Sequence, residues 1–425
     1  MAVAAFVAAI LPFLKTSSIT HAPVVAAVGA RRGREREPCM GAGPVAVETR
    51  QAVLEVADLD RLIATLREAG WDVLGPTVRD GAVVYDRIER ADELPAGWID
   101  EQAPGHYRLR REGERRFGYT VGVTSWKRFL SPPRARLFAA RREARSLELT
   151  AGPEPAPKQA FLGVRPCELA AIAIQDRVFL GGAWTDPIYR ARREATLLVV
   201  VQCGRVGPTC FCAAMGAGPH ASAGFDLALT EMLEEGRHWF LLEAGSARGE
   251  QILARLEARE PAATERAAAE AAAQRAVAQP GRPLETEHLA TLLRRSSDHP
   301  HWSEVARRCL ACGNCTQVCP TCFCTSVEDV EALGGGAVER VRRWDTCFSP
   351  DFSYIHGGCI RPSVRARYRH WLTHKLGTWR EQFGTAGCVG CGRCITWCPA
   401  GIDLTEEAAA LRSAARREER THADA

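Results

Sequence analysis

Along the first 245 residues, apolar positions fall into short runs that switch between the period of a helix and the period of a strand. Residues 54–69 repeat apolar side chains at helical spacing, and short alternating segments follow as far as Tyr107, suggesting a small mixed lobe. Residues 121–138 read as strand-like pieces broken at Ser131, Pro132 and Pro133. The clearest pattern comes next. Residues 160–164 predict a buried strand, 168–179 a helix, 196–202 (TLLVVVQ) a second apolar strand, 225–235 a helix and 239–242 a third strand. Strands alternating with helices predict a parallel sheet covered on both faces, so residues 40–245 are expected to form an α/β domain.

Composition then shifts. Residues 246–284 contain the run TERAAAEAAAQRAVA, bounded by Pro261 and Pro280, whose strong helix formers predict a helical linker. Residues 285–418 read as a further domain, with 419–425 as a tail. Within it a basic amphipathic helix is expected. Pro362 falls in its first turn, Val364, Tyr368, Trp371 and Leu372 along one face, Arg365, Arg367 and Arg369 largely outside that face, and Gly377 at its end. The arginines form either a solvated face, or a set of cations that offsets nearby negative charge or docks an acidic partner. Asp403 and Glu406 predict a capping box opening a helix through Leu411.

The chain has 425 residues, enough for two or three domains, and 46% of them are hydrophobic. Its net charge of +4 is too balanced to point to nucleic acid or an anionic membrane. Residues 1–14 are almost wholly apolar, yet too short to span a bilayer and without the basic start of a signal peptide. A membrane-associating segment, an export signal and an unstructured extension with Met40 as the true start compete for residues 1–39, and the last is favoured. No other stretch approaches a spanning length, so a cytoplasmic protein with no membrane span is expected. The 17 cysteines also point to a reducing compartment.

Eight of those cysteines form one pattern twice. Cys309, Cys312, Cys315 and Cys319 precede Pro320, and Cys388, Cys391, Cys394 and Cys398 precede Pro399. This C-x2-C-x2-C-x3-C-P spacing holds a four-iron, four-sulfide cube through thiolates. In two-cluster ferredoxins the fourth cysteine of each run serves the other cube. Cys309, Cys312, Cys315 and Cys398 are therefore assigned to one cluster, and Cys388, Cys391, Cys394 and Cys319 to the other. Zinc is the competing reading, but zinc sites favour two separated pairs. The long insertion between the runs leaves room for helices. The expected fold class is α+β and multidomain, an N-terminal α/β domain followed by a mostly helical ferredoxin-like dicluster domain.

Of the remaining cysteines, Cys167 and Cys203 end strand segments and Cys210 and Cys212 follow in GPTCFC. They are either a third metal site or buried structural thiols. Cys322, Cys324, Cys347, Cys359 and Cys39 read as structural. No G-x-G-x-x-G follows a strand, since the nearest string, 216–221, carries Pro219 where a helix should begin; there is no P-loop and no G-x-S-x-G elbow. With no catalytic residue identified, the pattern is that of a conductor.

The segments FLGVRPCELAAIAIQD, GPTCFCAAMGAGP, GFDLALTE, CLACGNCTQVCPTCFCTSVEDV, RRWDTCFSPDFSYIHGG and GCVGCGRCITWCPAGID resemble the iron–sulfur beta subunit of cytoplasmic nickel–iron hydrogenases of the sulfhydrogenase type. They are also similar to the dicluster iron–sulfur subunit of anaerobic sulfite reductases. The resemblance runs from about Met40 to the C-terminus. It implies two 4Fe-4S clusters on the eight cysteines, FAD and NAD(P) on a partner subunit, and small and large hydrogenase subunits as further partners. Electron transfer to sulfite or sulfur is the alternative within this class, and a non-redox zinc scaffold the alternative outside it.

Overall fold

The computed structural model describes residues 50–142, 146–152, 155–234, 236–332 and 336–423. Residues 1–39, including Cys39, lie outside them, as does Met40.

In chain order the first half gives β1 (Gln51–Glu55), α1 (Leu59–Glu68), β2 (Asp72–Arg79), β3 (Ala82–Arg87), β4 (Trp98–Ala103), β5 (His106–Arg111), β6 (Arg134–Arg142), β7 (Leu147–Ala151), β8 (Gln159–Val164), α2 (Pro166–Phe179), α3 (Pro187–Glu194), β9 (Thr196–Val201), β10 (Leu227–Glu234) and β11 (Arg237–Ala244). The second gives α4 (Ala247–Leu256), α5 (Ala263–Ala278), α6 (Leu289–Arg295), α7 (His301–Arg308), β12 (Thr325–Glu331), β13 (Ala337–Trp344), α8 (Val364–Thr373), α9 (Trp379–Phe383) and α10 (Leu404–Ala423).

Seven strands form the main sheet in the order β1-β11-β10-β9-β8-β2-β3. Its centre, β10-β9-β8-β2, is parallel, and the outer pairings are antiparallel. The TLLVVV run of β9 is buried on both faces because side chains alternate. Leu197, Val199 and Val201 join Leu62 and Ile63 of α1 and Leu253 of α4, whereas Leu198 and Val200 join Leu169 and Ile172 of α2 and Tyr189 of α3.

Residues 225–235, expected as a helix, contain β10 instead. Leu227 to Leu229 pair with Val199 to Val201, and the whole strand pairs with β11. Helix-forming Leu, Met and Glu are overridden by this long-range pairing, which sends Leu227 and Leu229 to one face and Ala228 and Met232 to the other. Residues 54–69 likewise split between the end of β1 and α1.

Within the span read as a linker, the structure sets both helices against the sheet. Small Ala268, Ala269 and Ala272 let α5 approach Val53, Met232, Trp239 and Leu241 closely. Glu265 on its first turn pairs with Arg237 and Arg259. The two halves also share a second sheet, ordered β12-β13-β6-β7, in which β13 pairs antiparallel with β6. The region between the two cysteine runs therefore contains a hairpin as well as helices. Among the described residues no helix is long and apolar enough to cross a membrane.

The predicted basic helix is α8, started by Ser363, whose hydroxyl accepts from the Ala366 amide at 3.1 Å. Gly377 does not end it. A π turn over His374–Thr378 leads into α9, which stops at Gly384 with φ of 69°. Gly377 is buried against Ala290, so it marks a close approach of two helices. At α10, Asp403 caps through the Thr405 amide at 2.8 Å, and Glu406 turns instead to Arg282 at 2.7 Å.

Ala269→Leu is expected to overpack the interface of α5 with the sheet and lower stability by about 1–3 kcal/mol. The same change at exposed Ala267 should stay within about 0.5 kcal/mol, both read from urea midpoints of the full chain.

Candidate metal centre

The two cysteine runs repeat in backbone conformation as well as in spacing. Two residues after the first cysteine of each run, Ala311 (φ 51°) and Gly390 (φ 65°) adopt the left-handed conformation. Their amides donate to the Cys309 and Cys388 sulfurs, each at 3.4 Å. Two residues further on, Gly313 (φ 72°) and Gly392 (φ 77°) are left-handed as well and start the short helical turns Asn314–Gln317 and Arg393–Thr396. Each loop thus turns its amides toward sulfur, which favours the thiolate.

Five of the eight thiols, Cys309, Cys312, Cys315, Cys394 and Cys398, line one cavity, walled by Leu310, Phe348, Tyr368, Trp371, Ile402 and Leu404. Burial pushes Cys309 and Cys315 above the usual thiol range, and the nearby Cys398 raises both further. Burial likewise raises Cys388, to about 12, as well as Cys391 and Cys394, and Cys319 adds to the rise at all three. Five of the thiols surround a cavity rather than converge on a point. Among the described residues no three His, Cys, Asp or Glu side chains are close enough for a single ion.

Buried cations stand against this concentration of sulfur. Lys375, carried by the π turn, is 2% exposed and donates to the Cys319 sulfur at 3.1 Å, the Cys322 sulfur at 3.5 Å and the Gly387 carbonyl at 3.3 Å. Burial pulls its ammonium down, but the sulfurs of Cys319, Cys322, Cys388 and Cys394 outweigh that and hold it well above the usual range. Cys319 is held low by the Cys322 thiol and by Lys375. Arg393 is fully buried and donates to Gly122 O at 2.9 Å, Thr124 O at 3.0 Å and the Glu168 carboxylate at 2.5 Å. Glu168 also accepts from the Tyr85 hydroxyl at 2.7 Å and Trp126 Nε1 at 3.1 Å. Arg393 acts on Cys391, and Arg367 acts on Cys309. Each arginine keeps a buried nitrogen, Nη1 and Nε respectively, without a protein partner. A cysteine-lined cavity and spare buried N–H donors beside the cysteine runs fit thiolate-held anionic clusters.

Lys375 and Arg393 escaped the sequence reading. The usable signal was a lysine inside the apolar stretch WLTHKLGTW and an arginine inside a cysteine loop. The predicted arginines of α8 divide. Arg365 and Arg369 bond the Asp298 and Ser297 carbonyls at 3.1 and 2.6 Å, and only Arg367 turns inward.

The other cysteines occupy distinct places. Cys322, Cys324 and Cys347 line a cavity with Phe323, His370, His374 and Lys375. Cys359 lies 3.2 Å from the Ser353 hydroxyl. Cys167 follows β8, Cys203 follows β9, and Cys210 and Cys212 lie on the next loop, against the second cysteine run.

A 4Fe-4S dicluster domain model matches residues 308–402, a span holding all eight cysteines, Lys375 and Arg393. The sulfhydrogenase 2 subunit beta of Pyrococcus furiosus is 33% identical over 341 residues, which cover 80% of this chain and 91% of that protein. Coverage of that extent takes in the α/β half together with the cysteine runs, and the chain belongs to the family of iron–sulfur sulfhydrogenase beta subunits.

Proposed function

We propose that this chain is the electron-conducting subunit of a cytoplasmic nickel–iron hydrogenase complex. In this reading Cys309, Cys312, Cys315 and Cys398 hold one four-iron cube, and Cys388, Cys391, Cys394 and Cys319 the other. A partner subunit binds FAD and NAD(P)H, and small and large hydrogenase subunits complete the complex. The observation that carries the proposal is the doubled cysteine run within residues 308–402, which a 4Fe-4S dicluster domain model matches, in a chain 33% identical to a sulfhydrogenase beta subunit over 80% of its length. When bound, such cubes exchange single electrons, which links a two-electron flavin to a distant metal site.

The chain's own residues set the conditions. Leu310, 67% exposed, and exposed Cys312 bring the first set to the surface, where a partner can approach. Cys319 and Cys391 are buried, and Trp379 covers Gly387 just before the second set, so water is kept from it. Lys375 places a fixed positive charge on Cys319, which favours the more negative, reduced state of whatever that sulfur holds.

In the assembled complex, Cys391→Ala is expected to abolish NAD(P)H-linked hydrogen turnover while the partner's flavin is still reduced by NAD(P)H; equal loss of both would sink the relay. Cys319→Ala should remove the paramagnetic signal of the cluster on Cys388, Cys391 and Cys394 and spare the other, whereas loss of the Cys309 cluster would show that the fourth cysteines do not cross. Lys375→Met should lower the midpoint potential of the buried cluster by roughly 60 mV, a tenfold change in a one-electron equilibrium, and leave the exposed cluster unmoved in the same redox titration.

A further inference from the structure

The parallel strands β8 and β9 are neighbours, so their carboxyl ends open side by side. Cys167 lies in the first turn of the helix after β8, and Cys203 two residues beyond β9. The Cys203 amide donates to the Pro219 carbonyl at 3.3 Å, which draws it to the segment that faces Cys212. A Cβ on Gly218 would stand 3.2 Å from the Cys212 sulfur and 3.5 Å from Pro166 Cβ, so this sulfur sits beside the helix turn that carries Cys167. A Cβ on Gly207 would likewise stand 3.2 Å from the Cys210 sulfur. Cys167 and Cys212 pack in one buried cluster with Cys391, and Cys210 is equally buried.

The segment 209–212, which carries two of these cysteines, packs on the second cysteine run. The Phe211 amide donates to the Gly390 carbonyl at 2.8 Å, and the Cys210 sulfur lies 3.9 Å from the Cys391 carbonyl. Gly390 has no room for a side chain, because a Cβ there would come within 2.5 Å of the Phe211 carbonyl. A Cβ on Gly392 would meet Thr209 O at the same distance.

We propose that Cys167, Cys203, Cys210 and Cys212 hold a third iron–sulfur cluster, of the four-iron type, at the carboxyl edge of the parallel sheet. Four thiols in a reducing protein serve such a site in the way the eight others do. A buried cation again stands beside them: Arg165 is 1% exposed, bonds Phe117 O at 2.8 Å and Tyr119 O at 2.6 Å, and keeps Nε without a protein partner. Buried structural thiols alone need neither the cation nor the spare N–H. On the reading under Proposed function, the third site gives the buried second cluster an outlet toward the sheet, where it would otherwise be a dead end.

The test is iron and acid-labile sulfide per chain in the anaerobically reconstituted full-length protein. About twelve of each are expected, falling to about eight in the Cys210→Ser, Cys212→Ser double variant, with both ferredoxin-type signals retained. About eight in both proteins overturns the third cluster, as does a single zinc ion that the double variant loses. Should the variant fail to fold, the wild-type count with its Mössbauer areas still decides. Cys388→Ser, which should remove a different set of about four irons, tests the two-cluster reading separately.

Discussion

Negative charge buried with sulfur is the constraint on which the rest of this structure depends. A thiolate-held cluster taken out of water carries a desolvation cost of several kcal/mol per ion unless opposite charge is buried with it. The chain supplies that charge from fixed positions. Lys375 comes from a π turn, Arg393 from within the second loop and Arg367 from the helix between the runs. Arg393 in turn needs Glu168, and Glu168 needs Tyr85 and Trp126, so one cation recruits groups from both halves of the chain. The α/β half is thereby part of the electrostatic frame of the metal centre.

Steric fit acts in the same direction. The second cysteine loop lies on residues 209–212, with Gly390 and Gly392 where the two backbones come closest. The turn of the β4–β5 hairpin meets the same run, with the Gly105 amide donating to the Ile395 carbonyl at 3.1 Å. Tyr107 stacks near Trp397, their ring centroids 4.8 Å apart. The sheet edge and the cysteine loop are shaped against each other, as a close-packed interior requires.

What the sequence made legible was local. Cysteine spacing is a short-range pattern, so all eight positions could be read directly, and β8, α2 and β9 announced themselves as apolar runs of the right length. What it hid was set at a distance. β10 is a strand because β9 and β11 flank it, and nothing in LALTEMLE says so. Gly377 looked like a stop, but its reason is Ala290 in another helix. Glu406 matched a capping box until Arg282 claimed it. Lys375 could be seen as a residue, but its role depends on Cys319, which only the fold brings to it.

The shared sheet has a consequence for how the protein comes into being. Strand β6 pairs with β13, a partner made only after nearly two hundred further residues have been synthesised, and the loop at 209–212 waits for Gly390 and Gly392. Contacts of such sequence separation form late, because loop closure must precede any gain from pairing. The two ferredoxin-type sets proposed above end at Cys394 and Cys398, in the last quarter of the chain, so the loading of those two clusters waits for nearly complete synthesis. The four cysteines at the sheet edge are all made by residue 212, so the order of synthesis separates the two kinds of site in time.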